Sequence, residues 1–220
     1  MRPQGEIETM IAQRIEQGRL IPIIALDRAA DAIPLCQALK AGGLEVAEIT
    51  FRTSAAREAL RLVAEQFPEF ALGAGTVTTI EEIEAAKACG AQFAVAPGLN
   101  PRIVRRAQEL DLPFFPGVCT PSDIEAALEL GCTLLKFFPA DAFGGLKTIK
   151  ALHAPYAHRG VRFIPTGGIS AANMADYLSH PAVAAVGGSW LSDKKILAAQ
   201  DWSRITTLTR EAVSLAARSR

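Results

Sequence analysis

The chain has 220 residues, 50% of them hydrophobic and 21% charged, a balance that suits a packed core and excludes a disordered chain. Its 23 basic residues are matched by 23 acidic ones, which removes the global positive field that nucleic-acid binding uses. Apolar runs are broken by Pro, Gly or charge well short of the ~20 residues that span a bilayer, and charged residues interrupt the N-terminus where a secretory signal would need an apolar stretch. A cytoplasmic location is therefore expected, with no membrane or nucleic-acid partner. Simple division by domain size gives between one and two domains, but β/α barrels use this much chain as a single unit, so residues 1–220 are read as one domain.

In chain order, a helical segment over 5–18 precedes the first strand, and it is expected to lie across the bottom of the fold. Short β-rich apolar runs then alternate with longer amphipathic ones, the pattern of β/α units around a parallel sheet. The expected strands are 20–26, 46–50, 71–76, 93–97, 113–118, 134–139, 162–166 and 183–186, and a last helix covers 201–217. Eight such units predict an α/β fold of the (β/α)8 TIM-barrel type with an extra N-terminal helix. The helices carry their own punctuation. Asp31 is placed to cap the first barrel helix and Gly42-Gly43 to end it; Thr79 with Glu82 makes a capping box, and Thr120-Pro121 opens another helix.

Three helix-to-strand junctions superpose on one glycine, at Gly43, Gly90 and Gly131, and five residues later stand Glu48, Val95 and Lys136. These fall on the second, fourth and sixth strands, which feed the same layer of a barrel interior. Glu48 and Lys136 are thus expected to enter that interior from opposite walls, and charges are rarely buried without cause. Strand alternation turns Leu134, Lys136 and Phe138 to one face. A free amine with a pKa near 10.4 is only about one part in 2,500 neutral at pH 7, and burial among apolar groups shifts the balance toward the neutral nucleophile that Schiff-base chemistry needs. The alternative is a lysine that snorkels to the rim or simply pairs with Glu48.

Glu48 could move protons near an imine, and Arg52, just past the same strand, could grip a carboxylate bidentately, unless the two form an ion pair that only steadies the loop. Gly73-Ala74-Gly75-Thr76 and Pro97-Gly98 mark two further strand exits at the same end, where glycine would let backbone approach a ligand. Thr166-Gly167-Gly168 and Gly187-Gly188-Ser189 end the last two strands, the usual phosphate-holding loops of barrels. Cys36, Cys89, Cys119 and Cys132 form no C-x-x-C pair and only three histidines accompany them, so they are read as reduced core thiols and no metal site is expected. His153, His158 and His180 are expected at the surface, and Trp190 and Trp202 against the last helix.

Taken together, Glu48-Ile49-Thr50-Phe51-Arg52-Thr53, Gly73-Ala74-Gly75-Thr76-Val77, Pro97-Gly98-Leu99, Lys136-Phe137-Phe138-Pro139-Ala140, Pro165-Thr166-Gly167-Gly168-Ile169 and Gly187-Gly188-Ser189-Trp190-Leu191 resemble the 2-keto-3-deoxy-6-phosphogluconate (KDPG) and 4-hydroxy-2-oxoglutarate (KHG) aldolases. The resemblance runs from Leu20 to the C-terminal helix. It implies a class I aldolase with Lys136 as the Schiff-base lysine, Glu48 as acid and base, and Arg52 with Thr76 anchoring the pyruvyl carboxylate. By the same resemblance Pro97 and Phe138 line the pyruvyl pocket, while Thr166, Gly167, Gly168, Gly188 and Ser189 hold phosphate. It further implies cleavage of a phosphorylated keto acid in sugar-acid breakdown, no metal or other cofactor, and a homotrimer. Retention of Arg52 points to the gluconate rather than the galactonate branch.

Overall fold

A computed structural model describes residues 4–219, so residues 1–3 and 220 of the expected 1–220 domain lie outside the described residues. Helix α1 (Gln4–Gly18) leads into β1 (Leu20–Ile24), α2 (Ala32–Ala41), β2 (Val46–Thr50), α3 (Ala56–Gln66), β3 (Ala71–Gly75), α4 (Ile80–Ala88), β4 (Phe93–Val95) and α5 (Pro101–Glu109). The second half adds β5 (Phe114–Phe115), β6 (Gly117–Val118), α6 (Pro121–Glu129), β7 (Leu134–Phe137), α7 (Gly145–Tyr156), β8 (Arg162–Pro165), α8 (Met174–Leu178), β9 (Val186–Gly188), α9 (Lys194–Ala198) and α10 (Trp202–Arg218).

All the pairings are parallel, in the orders β5-β4-β3-β2-β1-β9 and β6-β7-β8. The two runs are halves of one barrel. β5 and β6 are consecutive pieces of the fifth wall, and isolated parallel bridges Phe163↔Val183 and Thr166↔Gly187 join the eighth wall to the seventh. The expected eight-unit barrel is thus present; its first, fourth and sixth strands end two residues sooner than expected, at Ile24, Val95 and Phe137, and two further departures have a clear cause. The fifth strand is interrupted at Pro116, which has no N–H to give the ladder but whose carbonyl still accepts from the Lys136 amide at 2.9 Å. The last strand lies over Val186–Gly188 rather than 183–186, because the pair Gly187-Gly188 continues the ladder against Ile21 and Pro22 instead of leaving it.

The helices begin largely as their sequences dictate. Thr79 and Thr120 both make capping boxes, with Glu82 and Asp123. Asp31 does not cap α2: its carboxylate is turned to Arg28 at 2.7 Å and to the Gln200 amide at 2.9 Å. This guanidinium, beside a largely buried carboxyl, holds Asp31 below the usual aspartate range. Gly43, Gly90 and Gly131 all sit at positive φ, +92°, +86° and +78°, where a side chain would strain the backbone, so the repeated junction is a repeated left-handed turn.

Helix α1 closes the end of the barrel where the strands begin. Ile11 and Ile15 are buried, Arg14 donates to the Glu69 carbonyl and to Gln92, and Glu16 pairs with Arg162 at the first residue of β8. Trp190 packs toward α10, lining a cleft with Leu208, Ala212 and Leu215. Among the described residues no helix is long and apolar enough to cross a membrane.

Candidate active site

Lys136 is the third residue of β7 and Glu48 the third of β2, strands on opposite walls of the barrel. Their side chains meet inside it: Lys136 Nζ donates to Glu48 Oε1 at 3.4 Å, and both residues are buried, 5% and 2% exposed. A buried ion pair is poor evidence for stability, since desolvation of both charges consumes the attraction. The Phe138 ring covers the amine, with its centroid 5.7 Å from Nζ.

The glycines of β3 serve a purpose that their sequence context did not reveal. A Cβ on Gly75 would lie 2.0 Å from Glu48 Oε1, and one on Gly73 would lie 2.2 Å from the Phe93 ring. These two positions are filled by protein side chains and so are not places where a ligand meets bare backbone. Thr76, next in the chain, is half-buried and holds a left-handed φ of +58°. For a β-branched residue this conformation costs of order 1–3 kcal/mol, and such strain concentrates at functional sites.

Arg52 does not pair with Glu48. Its Nε donates to Thr50 Oγ1 at 3.1 Å, while the Thr50 hydroxyl donates to the Ile24 carbonyl at 2.9 Å. Arg52 is exposed, and among the described residues no carboxylate is within ion-pair distance of it. Pro97 is drawn close by another glycine: a Cβ on Gly117 would lie 2.1 Å from the Pro97 carbonyl oxygen, and Gly117 is the register partner of Lys136. Pro97 and Phe138 are therefore brought to the walls beside the lysine.

On the far side, Thr166 is buried at the exit of β8, and a Cβ on Gly187 would lie 2.4 Å from its hydroxyl oxygen. Gly167 and Gly168 turn with φ of +96° and +79°. The Phe138 ring comes within 3.5 Å of where a Gly167 Cβ would stand, so one ring borders both the amine and this turn. Gly188 is a strand residue whose missing side chain makes room for the Trp190 ring, at 1.8 Å from a hypothetical Cβ, and Ser189 follows it, exposed. The Asn173 side chain, which the sequence did not single out, accepts from the Ser170 amide and donates to the Gly168 carbonyl, both at 2.9 Å. A short polar residue in a loop gives no pattern by which to find it.

Other reactive groups are set apart. Cys119, at the exit of β6, has its thiol pushed up by burial and further by Asp123. His153 and His180 stack edge to face at 6.1 Å, away from the barrel interior. Among the described residues, no group of three or more His, Cys, Asp or Glu side chains could hold a metal ion.

A (β/α)8 barrel with a lysine and a glutamate meeting in its interior has the make-up of the Schiff-base lyases, the metal-independent aldolases. The chain belongs to the KDPG and KHG aldolase family, whose model matches residues 11–208. The 2-dehydro-3-deoxy-phosphogluconate aldolase of Haemophilus influenzae is 47% identical over 205 residues, 93% of this chain and 96% of that one. The crystal structure of the KDPG aldolase from Legionella pneumophila, with pyruvate captured as a covalent carbinolamine intermediate, superposes with a TM-score of 0.88 at 38% identity, covering 92% of this chain and 97% of that one. The KDPG aldolase of Zymomonas mobilis with 3-phosphoglycerate gives 0.85 at 36% identity, over 93% and 95% of the two chains.

Proposed function

We propose that the protein cleaves 2-dehydro-3-deoxy-6-phosphogluconate reversibly to pyruvate and glyceraldehyde 3-phosphate, with Lys136 as the covalent residue and Glu48 as the proton carrier. The observation that carries this reading is the buried contact of 3.4 Å between Lys136 Nζ and Glu48 Oε1. The carbinolamine in the Legionella pneumophila relative supports it.

In this scheme the neutral amine attacks the C2 ketone, and the carbinolamine loses water to give an iminium. Glu48, directly or through a water, takes the C4 hydroxyl proton. The C3–C4 bond then breaks, its electron pair moves into the enamine, and the aldehyde departs. Glu48 returns a proton to C3, and hydrolysis of the iminium releases pyruvate and the free lysine. Arg52, held by Thr50, and Thr76 would anchor the pyruvyl carboxylate, with Pro97 and Phe138 as walls of the pyruvyl pocket. Thr166, Gly167, Gly168, Gly188 and Ser189 would receive the phosphate, a role supported by the 3-phosphoglycerate in the Zymomonas mobilis relative.

The Lys136–Glu48 half needs no phosphate, and the family includes KHG aldolases, so the same residues would cleave 4-hydroxy-2-oxoglutarate to pyruvate and glyoxylate. We take residues 1–220 as one domain, since α1 and α10 pack on the same barrel, and a homotrimer as its assembly. A sedimenting mass other than that of three copies would remove the trimer.

Pyruvate with borohydride tests the chemistry. The expected outcome is inactivation with one reduced pyruvyl adduct at Lys136, absent in Lys136→Met. A label on another residue, or none, would remove Lys136 from its role.

A further inference from the structure

Every carbonyl of the turn after β8 is already engaged from behind. The Thr166 carbonyl accepts from the Ala140 amide at 2.8 Å and the Gly167 carbonyl from the Asp141 amide at 3.0 Å, both on the loop after β7. The Gly168 carbonyl accepts from Asn173 Nδ2 at 2.9 Å. Of these three donors Asn173 alone is a side chain, and it is anchored in turn, because its Oδ1 accepts from the Ser170 amide. The two partners have opposite polarity, so only a group carrying one donor and one acceptor at this reach satisfies both. Aspartate keeps the acceptor and loses the donor.

A peptide group has its N–H and C=O on opposite sides. Fixing the Gly168 carbonyl toward Asn173 therefore turns the following N–H, that of Ile169, away from it. The Gly168 and Ile169 N–H groups donate to no protein acceptor among the described residues. Gly167 and Gly168 take left-handed φ values of +96° and +79°, and a tight glycine turn with unpaired backbone N–H groups is a kind of concavity that can receive an anion.

We infer that Asn173 is a positioning residue for phosphate: it touches neither substrate nor lysine, but holds the Gly167-Gly168 turn with its amide hydrogens presented to the mouth of the barrel. The inference rests on the phosphate end proposed above.

The test compares Asn173→Asp and Asn173→Ala with Ser189→Ala, each assayed for cleavage of the phosphorylated substrate and for exchange of pyruvate methyl protons, which involves no phosphate. In both Asn173 variants KM for the phosphorylated substrate should rise about five- to twenty-fold, with kcat within two-fold and pyruvate exchange unchanged, the scale of one lost hydrogen bond. The aspartate variant should be the worse of the two, because it places a negative charge behind the anion. Unchanged KM in both Asn173 variants while Ser189→Ala raises it would overturn the role of Asn173 and leave the phosphate end standing. Equal losses in cleavage and in pyruvate exchange would show general damage and also overturn it. If none of the three variants separates the two assays, the phosphate end itself falls, and the inference with it.

Discussion

The position of Glu48 depends on an absence at residue 75. With Oε1 of the carboxylate 2.0 Å from where a Gly75 Cβ would stand, even alanine there must displace the Glu48 side chain, whereas Lys136 lies on another wall and need not move. Gly75→Ala should therefore resemble Glu48→Gln: borohydride still traps pyruvate on the lysine, but exchange of pyruvate methyl protons slows by roughly 10²–10⁴-fold, the usual worth of a positioned acid or base. Exchange measured by NMR in deuterated buffer checks this, and wild-type rates in Glu48→Gln would take the carboxylate out of the mechanism. Both members of this pair were legible in the sequence, because a five-residue spacing after a repeated glycine placed them on opposed strands. The reason for Gly75 was not, since a glycine that accommodates a side chain from a neighbouring strand looks the same in one dimension as one that admits a ligand. Gly188 is the same case. Its neighbour is the Trp190 ring, so bulk at 188 would disturb packing as well as any bound anion, which is why Ser189 is the cleaner probe.

At the scale of elements, helix starts were readable because threonine, proline and acidic residues satisfy the first free amides locally: the Thr79–Glu82 box formed, and Thr120, read only as a helix start with Pro121, makes a second box with Asp123. Asp31 failed to cap because a long-range partner, Gln200, competes for its carboxylate alongside Arg28. The interruption at Pro116 and the shift of β9 onto Val186–Gly188 were missed for a related reason: strand bounds are decided by partners across the barrel, here Lys136 for Pro116 and Ile21 with Pro22 for the glycines. The junction glycines allow a clean measurement of backbone strain. Gly131 has φ +78° and open space around it, so Gly131→Ala should cost only the left-handed penalty, about 1–2 kcal/mol. Gly90→Ala brings its Cβ to 2.7 Å from Ala64 Cβ as well and should cost more. Urea midpoints of the two variants should fall in that order, and the reverse order would mean that the turn, not the contact, sets the cost at Gly90.

Across the whole molecule the two ends of the barrel have separate tasks, and α1 marks the division. Lys136 and Glu48 lie within β7 and β2 and the Gly167-Gly168 turn follows the end of β8, whereas α1 covers the ends where strands start. The helix over 5–18 and its place at the bottom were read from the sequence, but its polar ties were not, because Arg14 reaches a carbonyl at Glu69 and an amide at Gln92 that no local pattern links. Ile15 is fully buried beneath the barrel. Ile15→Ala removes those buried methyl groups and leaves a cavity, a change that costs about 2–5 kcal/mol in well-packed sites. Because the loss falls at the end away from Lys136, kcat and KM of the folded enzyme should stay within two-fold of wild type while the urea midpoint drops, with an unchanged slope. Measuring both on one preparation decides the matter. If the midpoint holds, α1 contributes little to the barrel, and if stability and kcat fall together, the helix bears on the site and the two ends are not independent.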